Sequence, residues 1–258
     1  MRAIEERFGS YADEHPAVFS FEKWLQIHAG GNPTVFFALY RLLRTRKDLT
    51  RAVTPDKQVV IEGFPRSGNS FARRAFIMAQ DETFDVTSIA HHLHVPAQVV
   101  RAAQLRIPTL LLIRKPKDAV LSFAIRDPIS VDQALKYYLT FYETVEEYRD
   151  AYVLGLFEEV TEDFGEVIRR INDRFGTTFS SFSHDERNVD GVFARIEKNA
   201  KKRFGETSLE NKVSRPFASR EKLKREVRYE LENPKRRHLI SRAESVYGRL
   251  TRKAAQDH

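Results

Sequence analysis

Residues 63–70, Gly63-Phe64-Pro65-Arg66-Ser67-Gly68-Asn69-Ser70, have the Gly-x4-Gly-Lys-Ser/Thr spacing of a phosphate-binding loop, with asparagine where the lysine belongs. Such a loop holds an anion through backbone N–H groups at the start of the following helix, and the helix dipole adds to the attraction. Arg66, Ser67 and Ser70 would supply further donors. A nucleotide triphosphatase also needs Mg²⁺, commonly held by an aspartate at the end of a nearby strand. Here the apolar run Thr109–Ile113 ends in Arg114, a cation that repels Mg²⁺ and attracts a second phosphate. Between these stretches lie His91, His92 and His94. Imidazoles titrating near neutrality suit proton transfer. No carboxylate stands at ligand spacing among them, so proton transfer outranks metal binding, and no metal site is expected.

The elements that would carry these groups alternate in type. Gln58–Glu62 is a short apolar run before the glycine loop, and Phe71–Gln80 continues as a helix. A strand is expected over Phe84–Ala90, a helix over Pro96–Gln104, a third strand over Thr109–Ile113 and a helix over Pro116–Ile125. Ser130-Val131-Asp132-Gln133 has the form of a capping box. It opens a helix striped with Leu135, Tyr138, Leu139, Tyr142 and Val145. Tyr152–Phe157 reads as a fourth strand, and a helix on Phe164, Val167, Ile168, Ile171 and Phe175 closes at Gly176. Strand–helix alternation implies an α/β fold with three α/β/α layers, a mostly parallel central sheet, and ligands at the carboxyl ends of the strands.

Three regions are expected within a single domain: an N-terminal helical segment over 1–50, an α/β nucleotide-binding core over 58–180, and a basic lid with C-terminal helices over 198–258. Gly30-Gly31-Asn32-Pro33 separates two N-terminal helices. The second, rich in aromatics and arginines, is expected to dock on the protein's own core rather than on lipid. Residues 198–220 read as a loop or lid.

Composition narrows the classes further. The chain has 258 residues, a net charge of +7, and 41% hydrophobic and 11% aromatic residues. That is ample material for a core and excludes global disorder. The absence of cysteine excludes disulfides, thiolate zinc sites, iron–sulfur clusters and a cysteine nucleophile. The positive excess is C-terminal: from Glu197 to His258 there are 18 Lys and Arg against 9 Asp and Glu. Weak association with an anionic membrane surface is one expectation from that charge; nucleic-acid binding is not expected. Glu5, Glu6, Asp13 and Glu14 leave no secretory signal in the first residues, and no apolar run reaches the roughly 20 residues of a membrane span. A soluble, cytoplasmic protein is expected.

Two of these segments have a family likeness. Gly63-Phe-Pro-Arg-Ser-Gly-Asn-Ser-Phe71 resembles the 5′-phosphosulfate loop, roughly YPKSGTTW, of the sulfotransferases that use 3′-phosphoadenosine 5′-phosphosulfate (PAPS). Leu110-Leu-Leu-Ile-Arg-Lys-Pro-Lys-Asp-Ala-Val-Leu-Ser-Phe123 resembles their 3′-phosphate motif, RNPKDVAVSYY. In that family an arginine at a strand end and a serine eight positions later grip the 3′-phosphate, and Arg114 and Ser122 have that spacing. The resemblance implies that Arg66 contacts the 5′-phosphate and the bridging oxygen, that Ser67, Gly68, Asn69 and Ser70 are loop donors, and that Phe71 packs on adenine. Phe157-Glu158-Glu159 is similar to the family's YED segment, with packing but no hydroxyl at Phe157. The family's C-terminal RKGxxG is absent; Lys201, Lys202, Arg203, Lys212, Arg215 and Arg220 stand in that region, with Lys212 and Arg215 expected to close the site.

The resemblance also implies a chemistry: metal-independent, in-line transfer of the sulfuryl group of PAPS, leaving PAP, to an acceptor hydroxyl deprotonated by a histidine. The family's base lies in a Lys-Thr-His-Leu-Pro segment, matched here by Ile89–Pro96. His94-Val95-Pro96 copies the context better, whereas His92 has the expected distance from Arg114; His94 is favoured over His92. A glycan, a lipid-linked sugar and a small alcohol all remain open as acceptor. Two rival readings are a degenerate P-loop kinase or triphosphatase, against which Asn69 argues, and a non-catalytic polyanion-binding protein, which leaves the Arg114–Ser122 spacing unexplained.

Overall fold

The computed structural model describes residues 21–43, 49–127, 129–204 and 220–254. Two short helices, α1 (Phe21–His28) and α2 (Pro33–Leu43), precede the first strand. The strands are β1 (Val59–Gly63), β2 (Ile89–His91), β3 (Thr109–Ile113) and β4 (Val153–Leu156). They form one four-stranded sheet in the order β2-β1-β3-β4, and every pair is parallel. Register pairs Ile61 with His91 and with Leu110, and Gly63 with Leu112. The carboxyl ends of β1, β2 and β3 therefore lie side by side.

Strand side chains alternate between the two faces, and each face finds its own helices. Leu110, Leu112, Val59 and Ile61 pack with α3 (Asn69–Ala79), α8 (Phe164–Phe175) and α9 (Glu186–Phe204). Leu111 and Ile113 pack with α5 (Pro116–Arg126), α6 (Val131–Glu146), α10 (Arg220–Leu231) and α11 (Arg237–Ala254). Helix α4 (Pro96–Leu105) lies on this second face, and the short α7 (Phe157–Glu162) follows β4 directly. The protein is thus a three-layer α/β/α structure with a parallel, P-loop-like core.

Local chemistry accounts for the element ends. Ser130 Oγ accepts from Gln133 N at 3.2 Å while Gln133 Oε1 accepts from Ser130 N at 3.2 Å, the reciprocal pair that caps α6. Gly176 ends α8 in a left-handed conformation, φ 64°. Helix α2 docks on the protein itself: Phe36 and Tyr40 are buried with Leu93, Val95 and Ala97.

Three expectations are corrected. Of the segment Phe84–Ala90 only Ile89 and Ala90 are strand, which runs on to His91; Asp85 accepts from Thr87 N at 2.8 Å and turns Val86–Ser88 into a short 3₁₀ helix. The fourth strand ends at Leu156, because α7 begins at Phe157. The start of the segment taken as a loop is helical through Phe204, since α9 carries an apolar stripe, Val189, Val192, Phe193 and Ile196, that packs over α3. Residues 205–219, the rest of that segment, lie outside the described residues. Among the described residues, no helix is long and apolar enough to cross a membrane.

Candidate active site

The glycine loop is shaped by a close approach. A Cβ on Gly63 would lie 2.5 Å from Leu112 O, so only glycine lets β1 end this near β3. The chain then turns through Arg66 (φ 72°) and Gly68 (φ 92°), both left-handed. Asn69 Nδ2 donates to Phe64 O at 3.0 Å and Ser67 N to the same carbonyl at 3.2 Å, closing the loop on itself. The first helical bond is Ala72 N to Gly68 O at 3.0 Å. The N–H groups of Asn69, Ser70 and Phe71 thus precede the helical ladder of α3 and belong to the set a helix start offers an anion.

Not all loop side chains face outward. Ser67 is fully buried, and its Oγ meets Tyr142 Oη at 3.3 Å. Asn69 is buried as well, so the residue at the lysine position tightens the loop from within. Phe71, expected against adenine, is 6% exposed and ringed by Phe164, Phe182, His184 and Phe193. Its stripe position on α3 explains this: it faces α9 and fills core. Ser70 is exposed and Arg66 half-buried.

The two sequence motifs meet across the β1–β3 tips. Arg66 Nε donates to Ser122 Oγ at 2.9 Å, and Arg114 Nη1 donates to Arg66 O at 3.3 Å. The Arg114 guanidinium lies 4.1 Å over the Phe157 ring. Gly68 also neighbours that ring: a Cβ there would lie 3.5 Å from it. Phe157 therefore touches both the glycine loop and the β3 arginine. Burial lowers the Arg114 pKa while Asp118 and Glu158 oppose the shift. Lys212 and Arg215 lie outside the described residues; Lys202 is exposed on α9.

The histidines form a turn rather than an extended run. His92 and His94 have left-handed φ of 55° and 56°, so the backbone here is not extended. The rings touch in sequence: His91 Nδ1 is 2.9 Å from His92 Nδ1, and the His92 and His94 centroids are 5.4 Å apart. His92 Nε2 reaches Ser70 Oγ at 3.2 Å, linking the turn to the glycine loop. His94 Nδ1 is 2.8 Å from Gly63 O. A carbonyl accepts only, so in the neutral ring the proton sits on Nδ1 and the lone pair on Nε2. Burial, then the nearby cations, pushes the His91 pKa down to about 2; burial followed by His91 and His94 drives His92 well below its ordinary value. Both rings are neutral at physiological pH.

Two features missed by the sequence reading hold this geometry. Glu62 is fully buried: its Oε1 accepts from Gly63 N at 3.0 Å, and its Oε2 accepts from Leu93 N at 2.9 Å and Gln98 Nε2 at 3.0 Å. Oε1 also lies 3.5 Å from His94 Nδ1. Burial pushes the carboxyl up to about 7, against the pull of the hydrogen bonds it accepts. Its signal was visible: a glutamate inside an apolar strand is seldom there without partners. The second feature is a row of tyrosine hydroxyls on α6. Tyr138 Oη donates to Arg114 O and Tyr142 Oη to Leu112 O, each at 2.8 Å, and Tyr137 Oη donates to His94 O. The apolar stripe named Tyr138 and Tyr142, but helical spacing says nothing about where their hydroxyls end.

Fold and site together describe a P-loop-like α/β protein with two arginines and a histidine turn at adjoining strand ends. No family model matches the chain, and no curated protein matches it. Among solved structures, it is similar to the crystal structure of mouse sulfotransferase SULT7A1 complexed with PAP, at 15% identity and a TM-score of 0.39, over 77% of this chain and 92% of that one. So distant a likeness assigns no residue a role.

Proposed function

We propose that this protein is a sulfotransferase that moves the sulfuryl group of PAPS to an acceptor hydroxyl. The observation that carries the reading is the meeting of Arg66, Ser122 and Arg114 at 2.9 and 3.3 Å. Two guanidinium groups and a hydroxyl meet close to the start of α3, and that donor set suits a carrier with phosphate at both ends. Arg114 and Ser122 hold the 3′-phosphate. Arg66 and the first N–H groups of α3 hold the 5′ end and offset the charge that grows on the leaving phosphate.

PAPS supplies the activated sulfuryl group. The acceptor oxygen forms the new O–S bond as the bond to the 5′-phosphate breaks, PAP keeps that electron pair, and the acceptor proton passes to a histidine. His94 is that base: Gly63 O and Glu62 orient its Nδ1 side, which leaves the basic nitrogen at Nε2. His92, against Ser70, is the second candidate. A glycan, a lipid-linked sugar or a small alcohol serves as acceptor, with the reaction in the cytoplasm. Calorimetric titration tests the reading. PAP is expected to bind at least tenfold tighter than AMP, the added charge-assisted contacts being worth about that much; equal affinities would remove the reason for the assignment.

A further inference from the structure

Among the described residues, one cation beside the histidine turn has no counter-charge. Arg73 follows Ser70 by three residues on α3 and so shares its face, the face that meets His92. It is half-buried, and its Nε is buried without a hydrogen-bond partner. Among the described residues no carboxylate pairs with it. Its neighbour Arg74 is a like charge, and Arg74 in turn meets Arg195 of α9. Burial and Arg74 lower the Arg73 guanidinium to about 10, which still leaves it protonated at neutral pH. A half-buried cation with a buried, unpaired N–H and no anion beside it is costly, and an anionic ligand would offset that cost.

The strand order says which ligand. Arg114 stands at the end of β3, the glycine loop at the end of β1 and the histidines at the end of β2, on neighbouring strands about 4.8 Å apart. On the reading given under Proposed function, the donor spans β3 and β1. The acceptor then meets the histidines from the β2 side. That side is cationic: His91 N donates to Arg51 O at 3.0 Å, which sets Arg51 along β2, and both Arg51 and Arg73 act on the His91 ring. Lys57, also near, already donates to the carbonyls of Thr50 and Thr87.

We propose that Arg73 binds an anionic group of the acceptor, so that the acceptor class is a hydroxyl compound bearing a carboxylate, phosphate or sulfate. The inference rests on the sulfotransferase reading for the word acceptor, though not for the anion site itself.

The test uses the full chain and the variants Arg73→Gln and Arg73→Lys. Each is titrated with PAP and then, at saturating PAP, with benzoate, phenyl phosphate, phenyl sulfate and neutral benzyl alcohol. Wild type and Arg73→Lys are expected to bind at least one anionic probe about tenfold tighter than benzyl alcohol, and Arg73→Gln to bind all four alike. The preferred probe identifies the acid. PAP affinity is expected to be the same in all three proteins, which also shows that the variants are folded. Equal affinities for charged and neutral probes on wild type, absent binding included, overturn the proposal. A tenfold loss of PAP affinity in Arg73→Gln overturns it differently, by assigning Arg73 to the donor. If PAP binds wild type no tighter than AMP while the anion preference persists, the sulfotransferase reading and the acceptor assignment fail and the anion site stands.

Discussion

Arg66 Nε donates to Ser122 Oγ at 2.9 Å across 56 residues of sequence, tying the glycine loop on β1 to the helix that follows β3. The contact brings the two motifs together. Arg114 joins them from the strand end, and the Phe157 ring lies against both its guanidinium and the Gly68 turn.

Removing Arg114 is expected to erase discrimination between PAP and AMP. Arg114→Ala should weaken PAP by about 10²-fold and AMP little, since a bidentate arginine–phosphate contact is among the stronger polar interactions. Ser122→Ala should cost PAP less, about fivefold, with the same selectivity. Calorimetry with both ligands checks the pair.

Replacing the base should separate turnover from donor binding. His94→Gln is expected to reduce the transfer rate by about 10²-fold or more with PAP affinity unchanged. Near-normal rates in His94→Gln and a collapse in His92→Gln would move the role to His92; normal rates in both would end the histidine mechanism.

Glu62 should leave a mark on the pH dependence of stability. Its folded pKa, about 7, lies above the ordinary 4.5 because burial disfavours the charged carboxylate. Between those values the folded state binds more protons than the unfolded state, so stability falls as pH rises from about 4.5 to 7 and this contribution levels off above. The shift corresponds to a change on the order of 3 kcal/mol. Tyr142, which also faces Glu62, is held up by burial and stays uncharged across that window. Denaturant unfolding across pH should show the slope in wild type and lose it in Glu62→Gln, whose amide oxygen can still accept from Leu93 N and Gln98 Nε2 while Gly63 N loses its side-chain acceptor.

Gly63→Ala should test the strand contact below the loop. Its Cβ would lie 2.5 Å from Leu112 O, and backbone on both sides must shift. A loss of about 1–3 kcal/mol is expected, visible as a lower thermal midpoint, with weakened PAP binding because the loop moves. Gly176→Ala, with nothing within 4 Å, should be destabilised only by its positive φ, about 1 kcal/mol, and keep PAP affinity.

Residue order alone determined the strand–loop–helix unit at Gly63, the β3 run ending in Arg114, the capping box at Ser130 and the Gly176 stop, because each depends on neighbours a few positions away. It also determined the candidate donors Arg66, Arg114 and Ser122. Periodicity carried the α9 stripe from Val189 to Ile196 too, and the helix it starts runs on into the basic segment beyond residue 198.

Tertiary structure decided everything that depends on which atoms share a space. Phe71 became core because α9 closes over α3, and Ser67 and Asn69 turned inward because the loop must satisfy its own carbonyls and the α6 tyrosines. The histidine backbone left the extended region because Glu62, 31 positions away, draws in Leu93 N and holds that turn beside Gly63. Such placements come from long-range burial of polar groups, where each donor must find an acceptor, and spacing along a chain carries no record of which one it will be.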